Sequence, residues 1–218
     1  MQVFRNRTEA GRQLAEALRS SPLVGADERI VILAIPRGGL PIGVEVARAL
    51  GAPLDVAVVR KLRSPQNPEL GFGAVGAHGL LQIDKGIVAR LGLTREEIDA
   101  EIADRREALE RRLVMYRAVA PPVDIAGATA VVVDDGVATG GTARQACALA
   151  RQAGAARVVL AAPVGPPGAD KELADAADDV VILSQPAEFM AVGQAYQDFE
   201  QIDDAAALSA LRAAAGVT

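Results

Sequence analysis

The chain has 218 residues, a net charge of −5 and a composition that is 50% apolar but only 3% aromatic. This length and apolar content suffice for a packed core, and we expect residues 1–218 to form a single domain. Because Trp is absent, the core must consist of aliphatic residues, which favours buried parallel strands over an aromatic-rich β-sandwich. An acidic chain without an evident basic face disfavours nucleic acid as the main ligand.

The chain also lacks the usual signs of a secreted or membrane protein. Its one cysteine, Cys147, cannot form a disulfide within the chain, as suits a reducing compartment. Residues 1–5 hold no apolar signal segment, and the aliphatic run at 30–35 is far shorter than the roughly 20 residues that cross a bilayer. We therefore expect a cytoplasmic protein without a membrane partner.

Five short β-branched runs predict strands that are buried on both faces, because none alternates polar with apolar residues. They are Ile30–Ile35, Leu54–Val59, Thr129–Asp134, Arg157–Ala162 and Asp179–Leu183. Helical segments are predicted between most of them, at 39–50, 142–153 and 169–177. Alternating strands and helices are typical of a parallel α/β sheet.

The remaining segments interrupt this alternation. The Pro- and Gly-rich stretch at 62–76 predicts a mobile loop that leads into a β-arm over 71–83. A capping box at 94–97 opens a long amphipathic helix, and an Ala-rich helix closes the chain over 203–214. We expect a core at about 25–184 and a small hood made from the N-terminal residues and about 185–202.

The segment from Val131 to Thr142 carries the strongest chemical signal. An apolar strand delivers Asp134 and Asp135 to its carboxyl end, where two carboxylates can accept hydrogen bonds from a ribose diol. The following small residues let backbone N–H groups converge on an anion at a helix N-terminus, with hydroxyl donors from Thr139 and Thr142. A diol site beside a phosphate cradle fits ribose 5-phosphate. An ordinary strand–loop–helix turn of another nucleotide fold is the alternative, although this segment matches neither a P-loop nor a Gly-x-Gly-x-x-Gly motif.

This segment resembles the phosphoribosyl-pyrophosphate signature of type I phosphoribosyltransferases: an apolar run, two acids, a short spacer and Ala-Thr-Gly-Gly-Thr. The whole chain looks most like uncharacterised bacterial members that pair Ile-Pro-Arg-Gly-Gly with Asp-Asp-Gly-Val-Ala-Thr-Gly-Gly-Thr. The resemblance implies an α/β fold with a five-stranded parallel sheet in the order 2-1-3-4-5. It also implies helices on both faces, a flexible loop, a hood and a homodimer.

The resemblance also implies a role for each part of the signature. The acids Asp134 and Asp135 would hold the ribose hydroxyls, and residues 138–142 would hold the 5′-phosphate. The residues implied in substrate binding along this segment are Asp134, Asp135, Gly136, Val137, Ala138, Thr139, Gly140, Gly141 and Thr142. Mg²⁺ would be bound mainly by the ligand's own oxygens, with water-mediated help from the two acids.

Two residues depart from the family pattern. Ala138 stands where some purine-salvage members carry an aspartate that faces the base, so no general base can be assigned. Gly136 replaces an aliphatic residue and is expected to loosen or widen the turn.

Two further segments would complete the ligand site. Pro36, Arg37, Gly38 and Gly39 follow the first strand, and in the family this loop holds the pyrophosphate, often with a cis peptide; alone it could be an ordinary turn. Arg60 and Lys61 follow the second strand and either meet the pyrophosphate or lie in a solvated loop. We expect Lys61 and Arg37 to stabilise the departing pyrophosphate, and Asp135 to tolerate positive charge on the ribose.

The reaction implied is transfer of phosphoribose from phosphoribosyl pyrophosphate to a small nitrogenous acceptor, a nucleobase by family analogy, with release of pyrophosphate. The alternative is a regulatory protein that senses phosphoribosyl pyrophosphate without turnover. Three side chains keep two interpretations each. Glu69 either contacts the acceptor or is solvated, and Phe189 and Tyr196 either stack on a base or fill the hood.

Overall fold

The computed structural model describes residues 3–21, 29–67 and 70–214. The helices are α1 (Arg7–Arg19), α2 (Gly39–Leu50), α3 (Lys85–Leu91), α4 (Arg95–Arg117), α5 (Gly141–Gln152), α6 (Ala169–Glu172) and α7 (Asp204–Ala214). The strands are β1 (Ile30–Ala34), β2 (Leu54–Val56), β3 (Val59–Arg63), β4 (Gly71–Gly76), β5 (Leu81–Ile83), β6 (Thr129–Val133), β7 (Arg157–Val164) and β8 (Asp179–Ser184). None of the helices in these ranges combines the length and the apolar composition needed to cross a membrane.

The main sheet is parallel and has the strand order β2-β1-β6-β7-β8, which confirms the predicted 2-1-3-4-5 arrangement. Its centre is built from the β-branched runs, and every residue of β6 is buried. Both faces of the sheet are covered, as the continuous apolar runs predict. In β1, Ile32 and Ala34 face a core shared with α1, α2 and α7, while Val31 and Leu33 face a core shared with α5.

The predicted second strand is wrong beyond Val56. There the chain leaves the main sheet, and β3 begins at Val59 as part of a separate antiparallel sheet with the order β3-β4-β5. The physical reason lies in the pattern of β3, where the buried Leu62 stands between exposed cations. Such alternation suits an antiparallel strand with one solvated face, not a buried parallel strand. The predicted β-arm over 71–83 is confirmed, but residues 62, 63 and 71–76 of the predicted loop are strand.

Each of the predicted helical segments contains a helix. At the start of α4, Thr94 Oγ1 accepts a hydrogen bond from the Glu97 N–H at 3.2 Å, and the Glu97 carboxylate accepts one from the Thr94 N–H at 2.8 Å. The predicted helix at 169–177 is a single turn that ends at Glu172. The structure adds α1 and α3, which we did not predict.

A buried ion pair fixes the short edge strand β2 to the end of α4. Asp55 accepts hydrogen bonds from Arg117 Nη1 at 2.5 Å and Nη2 at 3.2 Å. It also accepts the backbone N–H groups of Val56 at 2.7 Å and Val123 at 3.0 Å. All the lone pairs of this buried carboxylate are therefore engaged, and its loss would leave Arg117 without its partner.

We expect Asp55→Ala to lower the free energy of unfolding by about 3 kcal/mol, because breaking a buried ion pair leaves an uncompensated charge. Urea denaturation followed by circular dichroism would measure the change. Glu107→Ala is the matched control, since Glu107 pairs with Arg111 on the solvent-exposed face of α4 and should change stability little. Equal stabilities of the two variants would contradict the assigned role of Asp55.

Candidate ligand site at the carboxyl end of the parallel sheet

Two loops meet where β1 and β6 end, because the two strands are neighbours and parallel. Their contact is so close that only glycine fits: a Cβ on Gly38 would lie 2.1 Å from Asp135 Oδ2, and one on Gly39 would lie 2.6 Å from the Val133 carbonyl oxygen. The peptide bond between Pro36 and Arg37 is cis. The loops 36–39 and 134–142 therefore flank one crevice at the topological switch point of the sheet.

The loop after β6 borders a cavity of about 160 Å³, which is lined by Asp134 and residues 136–143. Gly140 has φ +72°, a left-handed conformation that favours glycine, and α5 begins at the next residue. No side chain caps this helix start. The backbone N–H groups of the first turn thus lack intrahelical partners and make the cavity a suitable site for an anion.

Asp134 lines this cavity, Asp135 follows it in the chain, and both acids are partly buried. Asp134 Oδ1 accepts a hydrogen bond from the Asp135 N–H at 2.9 Å. Burial raises the pKa of Asp134 well above its usual range, and the neighbouring charge of Asp135 raises this pKa further. Burial also raises the pKa of Asp135, although its hydrogen bond with Arg7 opposes that shift.

Arg7 of α1 is the partner of Asp135, and the sequence analysis missed it. Its Nε donates to Asp135 Oδ2 at 2.8 Å, and its Nη1 donates to the Glu200 carbonyl oxygen at 2.8 Å. The guanidinium carbon lies 3.9 Å from the centre of the Phe199 ring. The side chains of Arg7 and Asp135 are only 9% and 14% exposed. A separation of 128 residues hides this pair from any sequence pattern.

The hood residues pack around this ion pair. The Tyr196 hydroxyl donates to the Asp135 carbonyl oxygen at 2.6 Å, and the Tyr196 ring stacks on Phe199 at 5.0 Å and lies 5.7 Å from Phe4. Tyr196 is buried, and Phe189 packs partly buried against the same core. Of the two interpretations of these aromatic residues, the structure favours hood packing, and Glu69 lies outside the described residues.

The expected loosening at Gly136 is wrong, because neighbouring side chains fill the space that its missing side chain leaves. A Cβ there would lie 2.5 Å from Val192 Cγ1 of the hood and 2.9 Å from Val164 Cγ1 of β7. A hydrogen bond from the Val137 N–H to the Val164 carbonyl oxygen at 2.8 Å also holds this turn against the end of β7.

The predicted cations are distributed over two surfaces. Arg37 lies 3.6 Å from Asp204 of α7. Arg60 shares a face of β3 with the buried Leu62, whereas Lys61 is exposed on the opposite face. The Lys61 side chain packs on β4 at Gly71. A Cβ on Gly71 would lie 2.1 Å from Lys61 Cε, so the glycine leaves room for this side chain.

The described ranges contain no group of three or more His, Cys, Asp or Glu side chains placed to hold a metal ion. Asp134 and Asp135 alone do not form a complete metal cage. They fit an ion such as Mg²⁺ that retains waters and binds mainly to substrate phosphates.

Comparisons with known proteins agree with this geometry. A family model described as a phosphoribosyl transferase domain matches residues 3–198. Two Mycobacterium tuberculosis proteins, from strains CDC 1551 and H37Rv, are each 45% identical over 204 residues and are named "Putative phosphoribosyl transferase". The match covers 94% of this chain but 45% of each relative, so the chain spans about half the length of these curated relatives.

One solved structure resembles the chain over its whole length. The crystal structure of TT1426 from Thermus thermophilus is 42% identical and has a TM-score of 0.89. The match covers 99% of this chain and 100% of that one. The arrangement of sheet, arm and hood is therefore shared with an experimentally determined structure.

We expect Asp134→Asn to stabilise the protein at neutral pH by about 1–2 kcal/mol, in the range of other single stabilising changes. With its pKa raised in the fold, Asp134 contributes most below the unfolded-state value of 3.8, and this contribution is lost as pH rises through the folded-state pKa. The asparagine should therefore also flatten the fall in stability above pH 4. Urea denaturation at several pH values would measure both effects.

Asp135→Asn is the matched comparison. Burial raises the pKa of Asp135 too, but the hydrogen bond with Arg7 opposes that shift, so we expect Asp135→Asn to stabilise the protein less than Asp134→Asn does. Destabilisation by Asp134→Asn at neutral pH would contradict the electrostatic interpretation of the acid pair.

Proposed function

The chain belongs to the phosphoribosyl transferase family, and on that premise we propose that it transfers phosphoribose from phosphoribosyl pyrophosphate to a small nitrogenous acceptor, releasing pyrophosphate. One observation carries the proposal. Asp134 and the helix-opening loop 136–143 line a single cavity, so groups suited to a diol lie beside groups suited to a phosphate.

The ribose 5-phosphate half of the substrate fits this cavity. The first-turn N–H groups of α5, with the hydroxyls of Thr139 and Thr142, are suited to the 5′-phosphate. Asp134 and Asp135 are suited to the ribose hydroxyls, whose O–H groups donate to carboxylates. These donors favour the ionised form of the acids and so oppose the upward pKa shift caused by burial.

The pyrophosphate half is proposed to lie over the loop 36–39, on the β1 side of the crevice. An acceptor nitrogen would attack ribose C1 as the bond to pyrophosphate breaks, with inversion at C1. Carboxylates close to the ribose stabilise the positive charge that develops on the ring. Cations near the leaving group, for which Arg37 and Lys61 are our candidates, stabilise the negative charge that grows there.

The acceptor is proposed to bind between the hood and the acid pair. Ala138 brings no carboxylate to this position, so proton removal from the acceptor is not assigned to that residue. A nucleobase is the acceptor class that we propose. Mg²⁺ would be held mainly by the substrate's phosphate oxygens and would neutralise part of their charge, with Asp134 and Asp135 acting through water.

Other parts of the proposal stay predictions: a homodimer from the family resemblance, and a cytoplasmic location without nucleic-acid or membrane partners from the composition of the sequence. The organisation of residues 1–218 as one domain also stays a prediction. The activity proposed is that of this chain, which spans about half the length of its curated relatives.

A pyrophosphate-release assay with phosphoribosyl pyrophosphate, Mg²⁺ and a panel of nucleobases tests the reaction. We expect turnover with at least one base, and Asp134→Asn should weaken ribose 5-phosphate binding by about tenfold, the loss of one charge-assisted hydrogen bond. Tight binding of phosphoribosyl pyrophosphate without turnover on any acceptor would favour the sensor instead. Failure of ribose 5-phosphate to bind would refute both.

Lys61→Ala tests the cation on the arm. Removing one group that stabilises transition-state charge typically costs about 100-fold in kcat, and we expect that loss with ribose 5-phosphate affinity unchanged. Arg63→Ala is the control, because Arg63 is exposed in the same strand and carries the same charge. An equal effect of the two substitutions would point to general electrostatics and against a specific role for Lys61.

A further inference from the structure

Three arginines from separate parts of the chain lie near enough to the buried Tyr116 for their charges to act on its hydroxyl. Arg37 lies in the loop after β1, Arg60 in β3 and Arg112 in α4, and the charge of each lowers the pKa of the Tyr116 hydroxyl against the larger effect of burial. Tyr116 itself is 1% exposed. We name Arg37, Arg60 and Arg112 the arginine cluster.

Asp204, in the first turn of α7, is the acid that binds this cluster. Its Oδ1 lies 3.6 Å from Arg37 Nη1 and accepts a hydrogen bond from Arg112 Nη1. Its side chain is 42% exposed, so the carboxylate sits at the solvent-facing opening of the cluster. One carboxylate therefore contacts two of the three guanidinium groups, those of Arg37 and Arg112.

The cluster is short of both negative charge and hydrogen-bond acceptors. The pKa of Arg60 is lowered, first by burial and then by the charge of Arg112. Within the described part of the chain, Arg60 Nε and the Tyr116 hydroxyl are buried side-chain atoms without a hydrogen-bond partner. Buried donors in native proteins are nearly always paired, so two such atoms beside excess positive charge indicate a place for a larger anion.

We propose that Asp204 is an internal anion that competes with pyrophosphate for the arginine cluster. The inference rests on the proposed function, because it treats Arg37 as part of the pyrophosphate loop. A pyrophosphate group has more oxygen atoms and more charge than a carboxylate, and it can engage several guanidinium groups at once.

Displacement of Asp204 has a mechanical consequence. The carboxylate joins α7 to the pyrophosphate loop through Arg37 and to α4 through Arg112. When pyrophosphate takes its place, α7 loses both connections. When the product leaves, Asp204 again neutralises the cluster, which aids pyrophosphate release.

Calorimetric titration of inorganic pyrophosphate into the full chain tests the competition. Asp204→Asn should bind pyrophosphate about tenfold more tightly, because it keeps the side-chain shape and removes the competing charge. Asp203→Asn is the matched control, because it removes an equal charge from the neighbouring residue. Asp203 Oδ1 caps α7 by accepting a hydrogen bond from the Ala206 N–H at 2.7 Å. Unchanged affinity in Asp204→Asn, or equal tightening in both variants, would overturn the proposal.

Substitutions in the arginine cluster should weaken pyrophosphate binding, the opposite of the effect expected for Asp204→Asn. Arg112→Gln should weaken pyrophosphate binding about tenfold, while Arg111→Gln, which loses a solvent-facing pair with Glu107, should not. Tyr116→Phe keeps the buried ring and should weaken pyrophosphate binding without loss of stability, since the hydroxyl has no hydrogen-bond partner among the described residues. If Tyr116→Phe lowered stability but left pyrophosphate affinity unchanged, Tyr116 would have only a structural role. That result would contradict its proposed contribution to pyrophosphate binding.

Hydrogen exchange gives a readout that does not depend on the variants. Pyrophosphate should increase exchange of the backbone amides of α7, and unchanged protection would contradict displacement. Ribose 5-phosphate binding separates this inference from the proposed function, because its site at 134–142 does not include Asp204. If ribose 5-phosphate binds but Asp204→Asn leaves pyrophosphate affinity unchanged, the inference fails and the proposed function stands.

Discussion

The rest of the site depends on two carboxylates held side by side, out of water, at the end of β6. Burial disfavours their charge, and each carboxylate disfavours the charge of the other. Asp134 is compensated by a single backbone N–H, whereas Asp135 is compensated by the guanidinium of Arg7. The acid that faces the phosphate cradle is thus the less compensated one, as expected of a group that receives hydrogen bonds from a ligand.

Arg7 links this electrostatic requirement to the architecture. The guanidinium that stabilises Asp135 also binds the Glu200 carbonyl and lies over Phe199, so α1 and the hood are anchored to the end of the central strand. The Tyr196 hydroxyl binds the Asp135 backbone and adds a second connection. The hood therefore owes its position to the same acid that is proposed to bind the ribose. Its aromatic residues serve mainly to hold this arrangement.

On the other side of the crevice, positive charge is in excess. Arg37, Arg60 and Arg112 converge from a loop, the arm and α4, and Asp204 partly neutralises them. These guanidinium groups form the site that we propose for pyrophosphate, and the acid pair belongs to the site that we propose for the ribose. Asp204 belongs to α7, so the last helix of the described chain takes part in the electrostatics of the site.

The sequence alone determined most strands of the parallel sheet, the β-arm, the capped helix α4 and the position of the acid pair before the loop that opens α5, because local periodicity, caps and contiguous motifs encode each of them. The order of the strands followed from the family resemblance. Only the tertiary structure decided which residues far apart in the chain contact each other. Arg7 reaches Asp135 across 128 residues, and Val192 fills the space beside Gly136. The end of β2 at Val56 was likewise missed, since a run of Val and Ala fits a buried strand whether or not a neighbouring strand pairs with it. Pairings between distant segments leave no local pattern, because burial and charge neutralisation are settled only when the chain packs.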